Sequence, residues 1–592
     1  MVKAVDDRRD FAADFRLLGI AAAAALIGVM STAAAFGLLA VIRLFTNLFF
    51  FRSFSFVARS PALNDLGLWV IPIPVIGGLI IGLIARFGSE KIRGHGIPEA
   101  IEAILFGKSK MSPKVALLKP LSSGIAIGSG GPFGAEGPII MTGGALGSLL
   151  GQCFRISGGE RKALLVAGAT AGMTAVFGTP IAAVMLAVEL LLFELRPRSL
   201  LPVAVACAVA GFARSLFLDA GPLFPLQTPV VTPICLLSCL LAGLASGALS
   251  WILSALLYKV EDAFGKLPLH WMWWPAIGAV AVGIGGYLQP RALGVGYDVI
   301  GDLLQNHLAV RVALTLLVCK AVMWVIALGS GTSGGVLAPL LTLGAGLGVV
   351  LGPYLPGVET GLWPLVFMAA TLGGMMRAPI MAVMFAFEVT QDANALLPLL
   401  TACVTAYGFT VLTMPRSILT EKIARRGYHI YREYGIDPLE RHTVREVMTR
   451  DVQTIDAELP IAEALDVHFG TGQKHRAFPV VRNGAYLGML DRACLLDALS
   501  SKNAKRVSDL FGVNLPVMAL PDETCRILAT RLAVHRLERV PVVRDAQSRE
   551  LLGLIARSDL IKPSLGLFDE EHNYEQLRRP MLTSLRAVFR RR

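Results

Sequence analysis

Five long runs without a charged residue constrain this chain of 592 residues more than any other feature. They cover residues 17–41, 66–85, 232–258, 271–290 and 393–414. Each run has at least the roughly 20 residues that an α-helix needs to cross a bilayer. Backbone in lipid has to satisfy its hydrogen bonds internally, which helices and closed barrels achieve. The sequence therefore predicts a polytopic α-helical membrane protein.

The positive charges lie mainly at the ends of this apolar region. The net charge is +12, and the excess lies before residue 17, at 422–426 and at 590–592. Because positive charge beside membrane spans marks the cytoplasmic side, we expect both termini to be cytoplasmic, with an even number of crossings. We expect the plasma (cell inner) membrane as the location, membrane lipid as a partner, and no nucleic acid. The eight cysteines show no paired spacing for zinc, so no metal site is predicted.

Two blocks of sequence occur twice. Pro138 is followed by glycine at five, nine and thirteen residues, and so is Pro339. The second block, Pro-Ile-x-Ala-Val-Met ending in glutamate, occupies 180–189 and 379–388. Paired halves with interrupted apolar helices indicate a transport site near the membrane midplane. Glycines four residues apart also permit close helix packing, but packing alone does not explain the duplicated interruptions.

Three glycine-proline clusters interrupt the apolar sequence, and each precedes a new apolar helix. They read GHGIPE at 94–99, GAEGP at 134–138 and GGVLAP at 334–339. Glycine permits a tight backbone, and proline suits the first turn of a helix. A helix start facing a cavity offers unpaired N–H groups and the positive end of the helix dipole. Such a site suits a small anion that has to be released again.

These clusters resemble, in order, the signature motifs of CLC chloride channels and transporters, over residues 17–425. The resemblance implies the CLC fold, with two inverted repeats and broken helices, and a pathway for chloride or another small anion. Glu136 matches the external gating glutamate, whose ionised carboxylate competes with chloride and whose protonation releases it. Val336 and Leu337 match residues whose backbone amides hold the central ion, and we expect Ile139 to add another. The remaining expected anion contacts are His95, Gly96, Ile97, Gly137 and Leu419.

Three positions depart from the family pattern. His95 replaces the usual serine of the first motif, and Leu419 falls where the family has its inner tyrosine. Proton-coupled members commonly carry a glutamate directly after the residue that matches Glu189, and this chain has Leu190 at that coupling position. An aliphatic residue is typical of family channels, so we favour a passive voltage-gated-type channel. The alternative is a proton-coupled chloride antiporter with His95 as the nearest relay. We interpret Glu189 and its repeat Glu388 as structural caps or interface charges.

The polar C-terminal part also contains a repeat. FPVV at 478–481 with LGML at 487–490 is echoed by VPVV at 540–543 with LGLI at 552–555. The pattern resembles a tandem pair of CBS modules, small α/β domains expected here in the cytosol. Such pairs often bind adenine nucleotides through an aspartate that matches Asp559, whereas the first module has Cys494 there. The resemblance thus implies one nucleotide site at most, and a purely structural or dimerising pair is the alternative.

The resemblance also sets the domain boundaries and the assembly. It implies a homodimer with one pathway in each subunit.

The sequence contains no catalytic triad or phosphate loop, so an enzyme is not expected. A magnesium transporter would need carboxylates along its membrane spans, and the long apolar runs of this chain are almost free of carboxylates.

The predicted segments are an N-terminal segment at 1–16, a transmembrane domain at 17–427, a linker at 428–443, CBS modules at 444–501 and 502–565, and a basic tail at 566–592.

Overall fold

The computed structural model describes residues 15–217, 221–357, 361–430, 438–470, 473, 475–501, 504–511 and 517–563. These residues form two compact units, one within 15–430 and one within 438–563. The predicted tail at 566–592 lies outside the described residues, as do residues 1–14 and residues 431–437 of the predicted linker.

Seventeen α-helices build the described part of the first unit. Six of them begin at a proline, which suits the first helical turn because proline has no N–H to leave unpaired. Helix α7 continues as a π-helix over Ala187–Leu192. In chain order the helices are α1 (Arg16–Phe51), α2 (Pro72–Phe87), α3 (Ile97–Leu105), α4 (Pro113–Gly128), α5 (Glu136–Cys153), α6 (Gly158–Phe177), α7 (Pro180–Leu186), α8 (Pro197–Phe217), α9 (Pro233–Gly265), α10 (Trp274–Leu288), α11 (Tyr297–Leu304), α12 (Val310–Gly329), α13 (Leu337–Leu351), α14 (Leu362–Met376), α15 (Pro379–Thr390), α16 (Leu396–Thr413) and α17 (Ile418–Arg425).

The helix order confirms the predicted repeat. Helices α1–α8 correspond in order to α9–α16, and α17 follows the second copy. The two copies meet at equivalent glycines that precede α5 and α13. The N–H of Gly134 donates to the carbonyl of Gly335 at 3.2 Å, and the reverse bond is 2.9 Å. This paired bridge joins the two inverted halves through their backbones.

Seven helices in the described part of the chain are long and apolar enough to cross a membrane. Four of the five predicted runs coincide with them, and none of the four begins more than three residues before its span. The fifth run, 271–290, forms the shorter α10 of 15 residues, because Pro275 sets its start and the chain turns at Gln289 and Pro290. Shorter apolar helices, among them α14 and α15, accompany the seven. The protein is therefore a multi-pass integral membrane protein.

The glycines at four-residue spacing serve helix packing. A Cβ on Gly143 or Gly147 of α5 would collide with backbone atoms of α6. Gly344 and Gly348 of α13 lie equally close to the backbone of α14. The packing explanation of this spacing is therefore confirmed, and it fixes how closely each broken helix lies against the helix that follows it.

The second unit contains two strand-containing modules. Strand β1 (Ile455–Asp456) pairs in parallel with β2 (Ala477–Arg482), which pairs antiparallel with β3 (Ala485–Asp491). Strands β4 (Arg539–Val543) and β5 (Leu551–Ala556) form a second antiparallel hairpin. In the described part of this unit five α-helices accompany the strands: α18 (Pro438–Arg441), α19 (Val444–Val447), α20 (Ile461–Phe469), α21 (Arg492–Ser501) and α22 (Cys525–Val534).

Candidate functional site

The three glycine-proline clusters lie at the starts of three helices that converge. Helix α3 begins at Ile97, α5 at Glu136 and α13 at Leu337, as predicted. Gly137 lies directly against the carbonyl of His95, and a Cβ on Gly96 would be 2.9 Å from the carbonyl of Gly137. Gly96 has a φ of +91°, a conformation that favours glycine. The glycine-containing loops before α3, α5 and α13 thus pack backbone against backbone. This packing brings the N-termini of the three helices together.

The Glu136 carboxylate occupies the start of α13. Its side chain is fully buried, and its Oε1 accepts the Ala338 N–H at 2.6 Å. The N–H groups of Leu337 and of Glu136 itself lie close to the same carboxylate. The second oxygen, Oε2, is buried and has no hydrogen-bond partner among the described residues. A carboxylate held by helix-start N–H groups occupies a position that would suit a small anion equally well.

Ala338 was missing from the predicted set. It is the second residue of α13, so its N–H has no carbonyl one turn earlier within the helix to receive it. The sequence signal that identifies it is its place directly before Pro339, one residue beyond the predicted pair. Val336 is the N-cap of this helix and Leu337 its first residue, and both are fully buried.

Two of the backbone N–H groups predicted to contact the anion donate hydrogen bonds within the protein instead. The prediction that the Ile139 amide binds the ion is contradicted, because this N–H donates to the Ala135 carbonyl at 3.0 Å. Ile139 is the fourth residue of α5, where the regular helical bonds begin. The N–H of Gly96 donates to the Glu99 carboxylate at 3.1 Å, while Ile97 opens α3. Glu99 therefore already satisfies the Gly96 amide.

The predicted side-chain positions of the pathway are all buried. His95 is 2% exposed, and its Nδ1 has no hydrogen-bond partner among the described residues. Leu419 is fully buried as the second residue of α17, a helix that packs against α3. The Tyr258 hydroxyl donates to the carbonyl of Ile418 and anchors the start of α17. Leu190 is also fully buried, within the π-helical segment that contacts α3.

Charged side chains tie α17 to α3. The Glu99 carboxylate forms ion pairs with Lys422 at 3.1 Å and with Arg426 at 2.9 Å, and Arg426 also pairs with Glu102. Only 5% of the Glu99 side chain is exposed. Buried charges need partners because losing their hydration is costly. These pairs fix the helix that carries Leu419 relative to the helix that carries the first motif.

The buried Lys119 connects the loop before α3 to the loop before α13. The Lys119 ammonium donates to the carbonyls of Ile92 at 2.8 Å and Gly94 at 2.7 Å, and to the Ser333 hydroxyl at 3.0 Å. Lys119 is fully buried in α4. Three acceptors match its three donors, so the positive charge is held behind the loops that present the helix starts.

The two repeated glutamates cap each other's helices. Glu189 accepts the N–H groups of Ile380 and Met381 at the start of α15. Glu388 accepts those of Ile181 and Ala182 at the start of α7. The interpretation as structural caps is therefore confirmed by the geometry.

The part of the chain that contains the repeated halves and the three helix starts matches the sequence model of a protein family. The family is described as "Voltage gated chloride channel", and its model matches residues 77–411, which is more than half of the chain. The chain belongs to the CLC family. The description "CBS domain" matches residues 444–501 and 508–566 of this CLC protein. The match confirms the predicted pair of CBS modules.

Two CLC relatives indicate the range of named activities. The "Putative chloride channel protein ClcB-like" of Ralstonia nicotianae is 28% identical over 364 residues, which cover 60% of this chain and 85% of the relative. The "H(+)/Cl(-) exchange transporter ClcA" of Vibrio campbellii is 30% identical over 365 residues, which cover 58% of this chain and 76% of the relative.

Solved structures show the same CLC fold. A slow cyanobacterial Cl−/H+ antiporter aligns with a TM-score of 0.61 and 21% identity, over 69% of this chain and 97% of that one. A eukaryotic CLC transporter aligns with a TM-score of 0.61 and 19% identity, over 92% and 98%. At these identities the likeness concerns the fold. It confirms the predicted architecture of a helical membrane domain followed by CBS modules.

In the second CBS module, Asp559 is engaged within the protein. Its Oδ2 accepts the Ala556 N–H at 2.7 Å, and its Oδ1 pairs with Lys562 at 2.7 Å. The equivalent turn of the first module places Cys494 at this position, with its N–H donating to Asp491 at 2.8 Å. The two modules thus use an aspartate differently at the ends of equivalent strands.

Proposed function

We propose that this CLC protein exchanges chloride for protons, with Glu136 as both gate and external proton acceptor. The observation that carries the proposal is the Glu136 carboxylate bound to the Ala338 N–H in the place of an anion. Relatives such as the exchanger of Vibrio campbellii support proton coupling over the passive channel that Leu190 favours. Chloride is the proposed anion, since the relatives from Ralstonia nicotianae and Vibrio campbellii are both named for chloride.

The mechanism follows from competition for the same N–H groups. While Glu136 is ionised, its carboxylate fills the start of α13 and excludes chloride. Protonation removes its charge and weakens its hydrogen bond from Ala338, because bonds to ionised groups are about twice as strong. The side chain then leaves, chloride binds the exposed N–H groups, and the proton is carried by the carboxyl group. Chloride and proton therefore use one position in alternation.

The passive channel remains the second candidate because of one observation. Leu190 is aliphatic and fully buried at the coupling position, so no carboxylate there can pass a proton inward. An exchanger needs another relay, and we propose His95, whose buried Nδ1 is unpaired among the described residues. Histidine is suited to this role because it takes up and releases protons near neutral pH in water.

Proton movement in liposomes distinguishes the two candidates. The purified protein is reconstituted, a chloride gradient is imposed, and external pH is recorded with an electrode. We expect chloride to drive protons uphill, and Glu136→Gln to abolish proton movement while chloride still flows. Glu90→Gln, at a largely exposed carboxylate, is the control and should change neither flux. Chloride flux without proton movement in the unsubstituted protein would contradict the exchanger and establish the passive channel.

The proposal includes the cellular setting and the assembly. We place the protein in the plasma (cell inner) membrane with both termini in the cytoplasm, supported by the basic residues beside the membrane helices. We propose a homodimer in lipid with one pathway in each subunit, supported by family membership. The CBS pair is proposed to bind one adenine nucleotide beside Asp559, displacing Lys562 from the carboxylate.

A further inference from the structure

The second half contains a counterpart of the first motif that the sequence comparison had not identified. Gly294-Val295-Gly296 precedes α11 as Gly94-His95-Gly96 precedes α3. Gly296 is the N-cap of α11 with a φ of +79°, as Gly96 is the N-cap of α3. Helix α11 packs against α13, so this second-half loop leads into the helix beside the one whose start holds Glu136.

A buried lysine binds the Gly294-Val295-Gly296 loop, as Lys119 binds the loop before α3. The ammonium of Lys320, which corresponds to Lys119, donates to the carbonyls of Gly294 at 3.1 Å and Val295 at 3.2 Å. Lys320 is fully buried. The loop before α11 is therefore held by two bonds from a buried ammonium, and the loop before α3 is held by two bonds from Lys119.

That first side chain is Tyr297, whose ring is held by other aromatic rings. Phe177 meets it edge-on with centroids 6.1 Å apart, and Phe224 lies 6.4 Å away. Phe177 itself packs against Phe385 at 5.1 Å. The Tyr297 hydroxyl is buried without a hydrogen-bond partner among the described residues. Tyr297 opens α11, and α11 packs against α13, the helix whose start holds the Glu136 carboxylate.

Two unpaired oxygens are thus buried where α11 packs against the helix whose start holds Glu136. The Glu136 Oε2 is an acceptor, and the Tyr297 hydroxyl is a donor. Leaving a buried polar group unpaired is unfavourable, so such groups usually have a partner in some state of the protein. In the present state the other oxygen of Glu136, Oε1, accepts the Ala338 N–H.

We propose that the Tyr297 hydroxyl receives the Glu136 carboxyl group after it leaves the Ala338 N–H. Tyr297 is then a positioning residue that stabilises the open state, in which the start of α13 is free for chloride. The inference rests on the gating role of Glu136 but not on proton coupling.

The hydroxyl acts on chloride affinity through the population of the open state. When chloride binds only one of two states, its apparent affinity equals the intrinsic affinity multiplied by the fraction of protein in that state. Removing a single hydrogen bond between neutral groups, such as this hydroxyl and a protonated carboxyl group, changes an equilibrium by about fivefold. Loss of the hydroxyl therefore favours the carboxylate on Ala338 and weakens apparent chloride binding by about fivefold.

Tyr297→Phe tests the proposal, since phenylalanine keeps the ring contacts and removes the hydroxyl. Chloride binding to the purified full chain is measured by calorimetry, and the KM for chloride by flux from liposomes. We expect the chloride Kd and KM to rise about fivefold, with little change in maximal flux. Tyr287→Phe, a half-exposed tyrosine of α10, is the matched control and should leave both unchanged.

The same substitution in a Glu136→Ala background separates this role from a structural one. Without the carboxyl group, Tyr297→Phe is expected to have no effect on chloride binding. An effect of the same size in both backgrounds, or none in the unsubstituted chain, would overturn the inference. Because calorimetry records chloride alone, this result is independent of the proton measurement that decides between exchanger and channel.

Discussion

The reciprocal caps offer a quantitative test of how the two halves are held together. Glu388 accepts two N–H groups at 2.9 and 2.7 Å, and Glu189 accepts two at 3.2 and 2.8 Å. Hydrogen bonds to a charged group contribute about 1.5–3 kcal/mol each, and one bond of each pair is near the surface. We expect Glu189→Ala or Glu388→Ala to lower the free energy of unfolding by about 2–4 kcal/mol. Glutamine keeps one acceptor oxygen and should cost about half as much.

Thermal unfolding of the purified protein, followed by size-exclusion chromatography, measures this effect. A domain of this size loses about 1–2 °C in melting temperature per kcal/mol. Each alanine variant should therefore melt about 2–8 °C lower, and the two decreases should be similar because the caps are equivalent. Exposed Glu90→Ala is the control, since surface ion pairs contribute about 0–1 kcal/mol.

The same variants also test whether these glutamates carry protons. As caps, they should leave the ratio of protons to chloride unchanged in liposomes. An unchanged melting temperature in either alanine variant would refute the capping argument. A Glu189→Gln variant that keeps its stability and loses proton transport would show that this carboxylate belongs to the proton route.

Three further substitutions test charged groups around the pathway and in the CBS pair. Lys119→Met removes the bonds that join the first break to Ser333, and we expect weaker chloride binding by calorimetry together with a melting temperature several degrees lower. Lys422→Met leaves Glu99 with Arg426 alone, and we expect a smaller loss of stability, about 1–2 kcal/mol by thermal unfolding. Asp559→Asn should weaken ATP binding by the full chain at least about tenfold in calorimetry, and ATP binding of unchanged strength would contradict the proposed site.

The duplicated interruptions could be predicted because glycine and proline mark them directly. Pro138 and Pro339 give the starts of α5 and α13 within a few residues, and the repeated offset gives the two halves. The break at Gly294 was missed, since it carries no proline and differs from the first motif at two of its first four positions. A Gly-x-Gly pattern alone is too common to be specific.

Other parts of the site depend on contacts between residues far apart in the chain. No local pattern shows that Lys119 reaches Ser333, or that Glu189 caps a helix beginning at Pro379. The Ile139 prediction was wrong because it took nearness to the motif as enough, although helical bonding starts again at the fourth residue. Counting residues from the helix start would have selected Ala338 in its place.

The backbone-to-backbone contact of the three breaks limits how this protein can diverge. No side chain fits at Gly137 against the carbonyl of His95, and Gly335 is equally confined by Gly134. Substitutions at these glycines would separate the helix starts and are expected to be lost by selection. Variation can then accumulate only in the side chains that border the pathway, such as His95 and Leu419. A lineage of such proteins would change its preferred anion through a handful of side chains while the framework stays fixed.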